Sequence, residues 1–112
     1  MRAGRVSRRA ALRAAPAFLA ALAARVEAQP QVHVIVIAGM KFGAVSEDVH
    51  VGDTVSFENH DLFRHTATAK DGSFDLDLPA GNEQRVVLDR AGTIDITCRF
   101  HPMMKAQLVV LP

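Results

Sequence analysis

The sequence contains no tryptophan, no tyrosine and only one cysteine, Cys98, among its 112 residues. A single cysteine has no partner within the chain, which excludes a fold held together by internal disulfides. The longest apolar run without a charge, residues 14–24, has 11 residues. A helix needs roughly 20 apolar residues to cross a bilayer, so this run does not predict a membrane span.

Residues 1–28 are typical of a bacterial secretory signal. Five arginines lie in the first 13 positions, the apolar run follows, and Val26-Glu27-Ala28 is a small-residue cleavage pattern. Ser7-Arg8-Arg9 also resembles a twin-arginine export signal. The sequence therefore predicts export to the periplasm, with the signal either cleaved or kept as a tether. The alternative is an amphipathic helix at the start of the mature domain.

The net charge changes sign between this leader and the rest of the chain. The leader has six arginines against Glu27, whereas residues 29–112 have seven Lys or Arg against eleven Asp or Glu, a net charge of −4. No basic cluster remains to attract nucleic acid or an anionic membrane surface, so nucleic-acid binding is excluded. The length of residues 29–112 suits one small core and one domain.

Alternation between apolar and polar residues predicts strands throughout the mature part. Val32, Val34 and Val36 alternate with His33 and two isoleucines, which predicts a strand covered on both faces. Further alternating or apolar segments lie at residues 49–51, 55–57, 85–88, 94–98 and 106–111. Glycine-containing turns separate them, and no long helical pattern follows residue 28. About seven short strands at this spacing predict an all-β sandwich.

A thiol, an imidazole and a thioether lie close together near the C-terminus, at Cys98, His101 and Met104. Cys98 shares a strand face with Ile96, so its thiol is predicted to point toward the core, with the other two groups in the loop that follows. A buried, inert cysteine is the simpler interpretation of Cys98 alone. Two histidines and one cysteine with a weak axial methionine, however, form a blue copper site.

The second imidazole must come from the four remaining histidines. His33 and His50 are flanked by valines and are more simply explained as ordinary strand residues, and His60 lies at a predicted turn. His65 opens an alternating segment, where strand neighbours can hold its ring rigidly. Zinc also binds such a set, but it is redox-inert and prefers four strong donors, which leaves the methionine unexplained.

The chain resembles a small cupredoxin of the plastocyanin/azurin family, most closely the amicyanin type with its short Cys-x2-His-x2-Met loop. The similar segments occur in the family's order: MKF (40–42), VGDTVSFEN (51–59), HTAT (65–68), DGSF (71–74), PAGN (79–82), AGTIDITC (91–98) and HPMMKAQLVV (101–110). The resemblance implies a single Greek-key β-sandwich, residues 29–112, that binds one copper ion, Cu(I) or Cu(II). It places the ligands at His65, Cys98, His101 and Met104, rather than at the adjacent Met103.

The resemblance further implies a periplasmic one-electron carrier, a monomer whose redox partners dock transiently near His101. Four protein donors leave no strong open position for a substrate, so the chain is not expected to be an enzyme. Family members often have an asparagine after the first histidine that ties the ligand loops together. Thr66 stands there in this chain, and we expect Asn59 to make the tie instead.

Three other interpretations remain open at this stage. A periplasmic copper chaperone or sequestering protein on the same fold would use the same ligands, although the chain has no Met- or His-rich tract. A thiol enzyme would use Cys98 as nucleophile with a histidine as base. A metal-free sandwich used in adhesion or assembly would need no role for the four side chains.

Overall fold

The computed structural model describes residues 29–112, which form eight strands and no helix. The strands are β1 (Val32–Ala38), β2 (Lys41–Phe42), β3 (Thr54–Asn59), β4 (His65–Ala69), β5 (Asp75–Leu78), β6 (Glu83–Val87), β7 (Gly92–Thr97) and β8 (Lys105–Val110). Within this range no helix is present that could cross a membrane. The predicted export signal, residues 1–28, lies outside the described residues.

The strands form two four-stranded sheets, with the orders β2-β1-β3-β6 and β5-β4-β7-β8. β1 and β3 are parallel, and the other named pairs are antiparallel. Alternate side chains of both sheets turn inward and are buried in one core, among them Ile35, Phe57, Ile96 and Leu108. The all-β sandwich predicted from the alternation is therefore confirmed.

Phenylalanine is the only aromatic residue available to fill this core. The ring of Phe57 is fully buried on β3 and contacts Phe42 edge-on, with the ring centroids 6.4 Å apart. It also lies against Phe74, which precedes β5 in the opposite sheet, at 6.0 Å. Aromatic pairs at such separations contribute beyond the area that they bury. Phe57 thus joins the two layers.

Two details of the predicted strands were wrong. Residues 49–51 form no strand, and His50 makes only an isolated bridge to Leu111. The reason is a turn at Asp53, whose carboxylate accepts the N–H of His50 at 2.9 Å and that of Gln31 at 2.9 Å. β1 was predicted to be covered on both faces, but only one face is covered. The outward side chain of Val32 is 53% exposed.

Gly43 lies so close to β1 that one added methyl group should disturb the fold. Its N–H donates to the Val36 carbonyl at 2.7 Å, and a Cβ at Gly43 would lie 2.6 Å from that same oxygen. Both groups belong to the backbone, so neither can rotate away. We expect Gly43→Ala to lower the free energy of unfolding by about 3 kcal/mol in urea denaturation of the apo-protein.

The neighbouring exposed Ala44 provides the control for this substitution. Ala44→Ser should change the free energy of unfolding by less than about 0.5 kcal/mol. Equal stability of the Gly43→Ala and Ala44→Ser proteins would contradict the close approach of residue 43 to β1.

Candidate metal centre

The cysteine and the loop after it are shaped by the end of β7. Cys98 directly follows the strand, and its side chain is 2% exposed on the core side, as the alternation predicted. The Cys98 N–H donates to the Met104 carbonyl at 3.4 Å, and the Met104 N–H donates to the His101 carbonyl at 2.8 Å. These bonds close the loop and return the chain to β8 at Lys105.

His65 is held by regular strand pairing on the other side of the site. It is the first residue of β4, lies opposite Leu78 of β5 and is fully buried. A ring fixed by strand neighbours is what the sequence predicted for this position. The other histidines lie elsewhere: the His33 ring binds Asp53 at 2.8 Å, and His60 lies 3.4 Å from Glu58.

Three predicted ligand atoms converge between β4 and the loop after β7. The Cys98 Sγ lies 3.8 Å from the His65 Nδ1 and 3.6 Å from the His101 Nδ1, and the two Nδ1 atoms are 3.2 Å apart. Donors bound to one ion at about 2.0–2.3 Å cannot be more than about 4.6 Å apart. All three separations meet that limit, so these side chains can share one metal ion.

The charge state of the thiol also suits a metal. Burial opposes ionisation of Cys98, but hydrogen bonds led by those of the Thr66 N–H and the His101 ring lower the pKa of the thiol to about 6. A thiolate is a soft donor that favours Cu(I), and imidazoles suit both Cu(I) and Cu(II). A cation between these three atoms would offset the charge of the thiolate in the buried site. The site is arranged for one copper ion.

The two adjacent methionines have different surroundings. Met104 is 3% exposed and belongs to the buried core cluster, whereas Met103 is 92% exposed. Burial on the same side as Cys98 favours Met104 as the source of the axial sulfur. That role remains a prediction.

Asp61 supports His65, a role that the sequence alone did not indicate. Its carboxylate accepts a hydrogen bond from the His65 Nε2 at 2.8 Å, which leaves the Nδ1 lone pair of the ring facing Cys98. Such a carboxylate fixes the tautomer and orientation of a ligating histidine. The same carboxylate accepts the N–H groups of Gly39 at 2.7 Å and of Met40 at 2.9 Å.

The three bonds to Asp61 also explain an unusual backbone conformation. Met40 has a positive φ of 62°, which costs energy for a residue with a side chain. The N–H of Met40 is the main cause that lowers the pKa of Asp61, with His65 contributing after it. The turn between β1 and β2 is thereby tied to His65. No local sequence signal indicates a contact across more than 20 residues.

Asp61→Asn should weaken metal binding because an amide cannot accept all three hydrogen bonds. Its NH2 group must face at least one N–H donor, and the His65 ring loses its fixed orientation. We expect copper affinity to fall about tenfold to hundredfold in competition titrations. Asp48→Asn is the control, since Asp48 is 86% exposed and lies 3.7 Å from His50, away from the site. Equal affinities of the two variants would contradict the role of Asp61.

The tie between the two ligand segments differs from the expected one. The Asn59 amide donates to the carbonyls of Phe63 at 2.7 Å and Leu78 at 2.9 Å, so it braces the loop before His65. Thr66 instead joins the segments, because its hydroxyl accepts the N–H of Arg99 at 2.9 Å. The expectation that Asn59 makes the tie was wrong, because the Thr66 hydroxyl makes it.

Comparison with known proteins identifies the family of this fold and site. A sequence profile for the cupredoxin-like domain matches residues 10–110. The chain belongs to the cupredoxin-like family. No curated protein sequence matches this cupredoxin significantly.

Solved structures give the same result. Amicyanin from Paracoccus versutus (Thiobacillus versutus) is 26% identical, with 79% of this chain and 87% of that chain covered and a TM-score of 0.60. A reduced amicyanin variant is 30% identical over 70% of this chain and 81% of its own, with a TM-score of 0.57.

A copper-containing nitrite reductase from Thermus scotoductus SA-01 is also similar, at 26% identity and a TM-score of 0.60. The match covers 78% of this cupredoxin but only 23% of the reductase chain. The likeness therefore concerns one cupredoxin-like part of a larger protein, and the activity of the whole reductase does not transfer to this chain.

Proposed function

We propose that this cupredoxin is an exported one-electron carrier that holds one copper ion through His65, Cys98, His101 and Met104. The convergence of one thiolate and two imidazoles within 3.8 Å carries the proposal. Bound copper supplies reversible one-electron chemistry, since this donor set accepts both Cu(I) and Cu(II). We further propose that residues 1–28 direct export to the periplasm and that residues 29–112 act as a monomer.

The chain's own part is to keep the donors in place while the charge changes. His65 is fully buried and bound by Asp61, and Cys98 is enclosed by the core and by Thr66. Buried, hydrogen-bonded side chains rearrange little, so the cost of reorganisation on electron transfer is small.

The four proposed ligands differ in exposure. Cys98 and Met104 are buried like His65, whereas His101 is partly exposed. Electrons are therefore expected to enter and leave by its ring.

An exposed apolar area lies on the loops that carry the ligands, and we name it the docking surface. Leu62 and Met103 are 91% and 92% exposed, Phe63 is 61% exposed and Phe100 is 49% exposed. Pro102 is exposed beside them. A small apolar surface with charged neighbours such as Arg99 suits a weak and rapid encounter with a redox partner.

A charge placed on the docking surface should slow electron transfer between two copies of the protein. Met103→Lys would bring like charges together and leave them poorly hydrated in the encounter. We expect the self-exchange rate, measured by NMR line broadening in mixtures of Cu(I) and Cu(II) protein, to fall at least about tenfold. Val87→Lys is the control, because Val87 is 62% exposed on β6 of the other sheet. Equal slowing by both variants would place electron exchange elsewhere.

The carrier proposal is tested by adding Cu(II) to the purified protein. We expect one equivalent to bind with intense visible absorption, bleached by a reductant and restored by an oxidant. Rapid self-exchange with slow release of copper to a chelating acceptor supports a carrier. Slow self-exchange with rapid copper transfer to an acceptor protein would support a periplasmic copper chaperone. Failure to bind copper would overturn both.

A further inference from the structure

A closed ring of hydrogen bonds links the cysteine loop to the protein surface. The Arg99 N–H donates to the Thr66 hydroxyl at 2.9 Å, and that hydroxyl lies 2.9 Å from the hydroxyl of Thr68. The Thr68 hydroxyl donates to the Asp75 carboxylate at 2.8 Å. The same carboxylate oxygen accepts the Arg99 side-chain Nε–H at 3.1 Å, which returns the ring to the residue where it began.

Thr66 contacts the cysteine segment at two points. Its backbone N–H donates to the Cys98 Sγ at 3.4 Å, and its hydroxyl accepts the N–H of Arg99, the next residue. The side chain of Thr66 is fully buried. The two bonds together fix both the sulfur and the peptide that follows it relative to β4, which also carries His65.

The hydroxyl protons of Thr66 and Thr68 can be arranged in only one way in this ring. A carboxylate only accepts hydrogen bonds, so Thr68 must donate its hydroxyl proton to Asp75. The Thr68 oxygen then accepts the proton of Thr66, and the Thr66 oxygen is left to accept from Arg99. The hydrogen bond from Thr68 is the first cause that lowers the pKa of Asp75, followed by Arg99. The surface charge thereby orients the buried hydroxyl.

We propose that Asp75, acting through Thr68, is a positioning residue that orients the Thr66 hydroxyl and thereby holds the peptide that follows Cys98. The proposal deepens the proposed function, since it concerns how the same copper site is held. Asp75 and Arg99 are 53% and 50% exposed, and an ion pair at that exposure contributes little to stability. If the Asp75–Arg99 ion pair contributed only to stability, its removal would leave the cysteine loop unchanged.

The first test compares Thr66→Val, which keeps the shape and removes the hydroxyl, with Thr66→Ser, which keeps the hydroxyl. The measured quantity is the hydrogen-exchange rate of the Arg99 amide in the full-length apo-protein. We expect this rate to rise about tenfold or more in Thr66→Val, because the partly buried Arg99 N–H loses its acceptor, and to stay near the wild-type rate in Thr66→Ser. Thr93→Val, at an exposed position of β7, is the control, and its Arg99 amide should exchange at the wild-type rate. An unchanged rate in Thr66→Val would overturn the proposal.

The second test acts at the surface, where the fold is not at risk. Asp75→Ala removes the acceptor, and Asp77→Ala is its match, because Asp77 is on the same strand, is also 53% exposed and lies 3.8 Å from Arg64. We expect faster exchange of the Arg99 amide in Asp75→Ala alone, with Asp75→Asn restoring most of the protection. Indistinguishable rates in the two alanine variants would exclude the role of Asp75.

Copper-loaded protein provides the third readout. Thr66→Val and Asp75→Ala should shift the reduction potential and the visible absorption band in the same sense, with the larger shift in Thr66→Val, and Asp77→Ala should shift neither. Unchanged values in Thr66→Val would overturn the positioning role at the copper site. If the wild-type protein takes up no copper, the proposed function fails, whereas the exchange rates of the apo-protein still decide whether the ring holds the cysteine loop.

Discussion

Cys98→Ser is expected to remove the intense visible absorption of the copper-loaded protein completely. The absorption requires a thiolate bonded to copper, and a serine hydroxyl is a harder donor that stays protonated at neutral pH. Loss of a direct ligand should also lower Cu(I) affinity by more than the roughly 100-fold that loss of a supporting hydrogen-bond partner costs. Visible absorption and competition with a Cu(I) chelator measure the two effects.

Met103→Ala provides a control for Cys98→Ser within the same loop. It removes a sulfur that is 92% exposed, so the absorption band should keep its intensity. Circular dichroism should show strand signals of equal strength in both variants and in the wild type. An intensely blue Cys98→Ser protein would show that the sulfur at position 98 is not the ligand.

Phe57→Ala should cause the largest loss of stability among core substitutions of this chain. Phe57 is fully buried and touches aromatic rings on both sides, Phe42 and Phe74, so its removal leaves a cavity between the sheets. We expect the free energy of unfolding to fall by about 4 kcal/mol. In a domain of this size each kcal/mol shifts the melting temperature by about 4–8 °C, so thermal unfolding of the apo-protein measures the effect.

The core substitution has a matched partner at the surface. Phe63→Ala removes the same ring from a position that is 61% exposed, and it should change the free energy of unfolding by less than about 0.5 kcal/mol. Phe57→Leu should lie between the two, because it refills most of the volume. A loss in Phe57→Ala no greater than in Phe63→Ala would mean that the sheets are not joined through this ring.

Side chains alternate between the two faces of a strand, and this alternation explains which features could be predicted from the sequence. It placed Cys98 on the inward face with Ile96, and both are buried. It also placed His65 at the start of a strand, which β4 confirms. The order of the segments then indicated the family. These inferences depend on local pattern and on spacing within a few residues, which the sequence displays directly.

What the sequence did not reveal depends on contacts between distant segments. Asp61 reaches back to the turn at Gly39, and Thr66 reaches forward to Arg99, through bonds that span 22 and 33 residues. Asn59 and Thr66 are both buried and polar, so composition does not distinguish which one ties the loops. Residues 49–51 alternate like a strand, but the Asp53 carboxylate takes up the N–H of His50 and turns the chain.

The directions of the first and last strands, β1 and β8, determine how this protein can be attached to a membrane anchor or to another domain. β1 starts beside Asp53 and runs toward Ile37, which pairs with Asn59 near His65, while β8 leaves Met104 and runs back to Leu111 beside Val49. An anchor before Gln31 or a fused module after Pro112 would therefore emerge from the far side of the sandwich. Either attachment would leave the side that carries His65, Cys98 and His101 free, and a tether before Gln31 would hold that side away from the lipid.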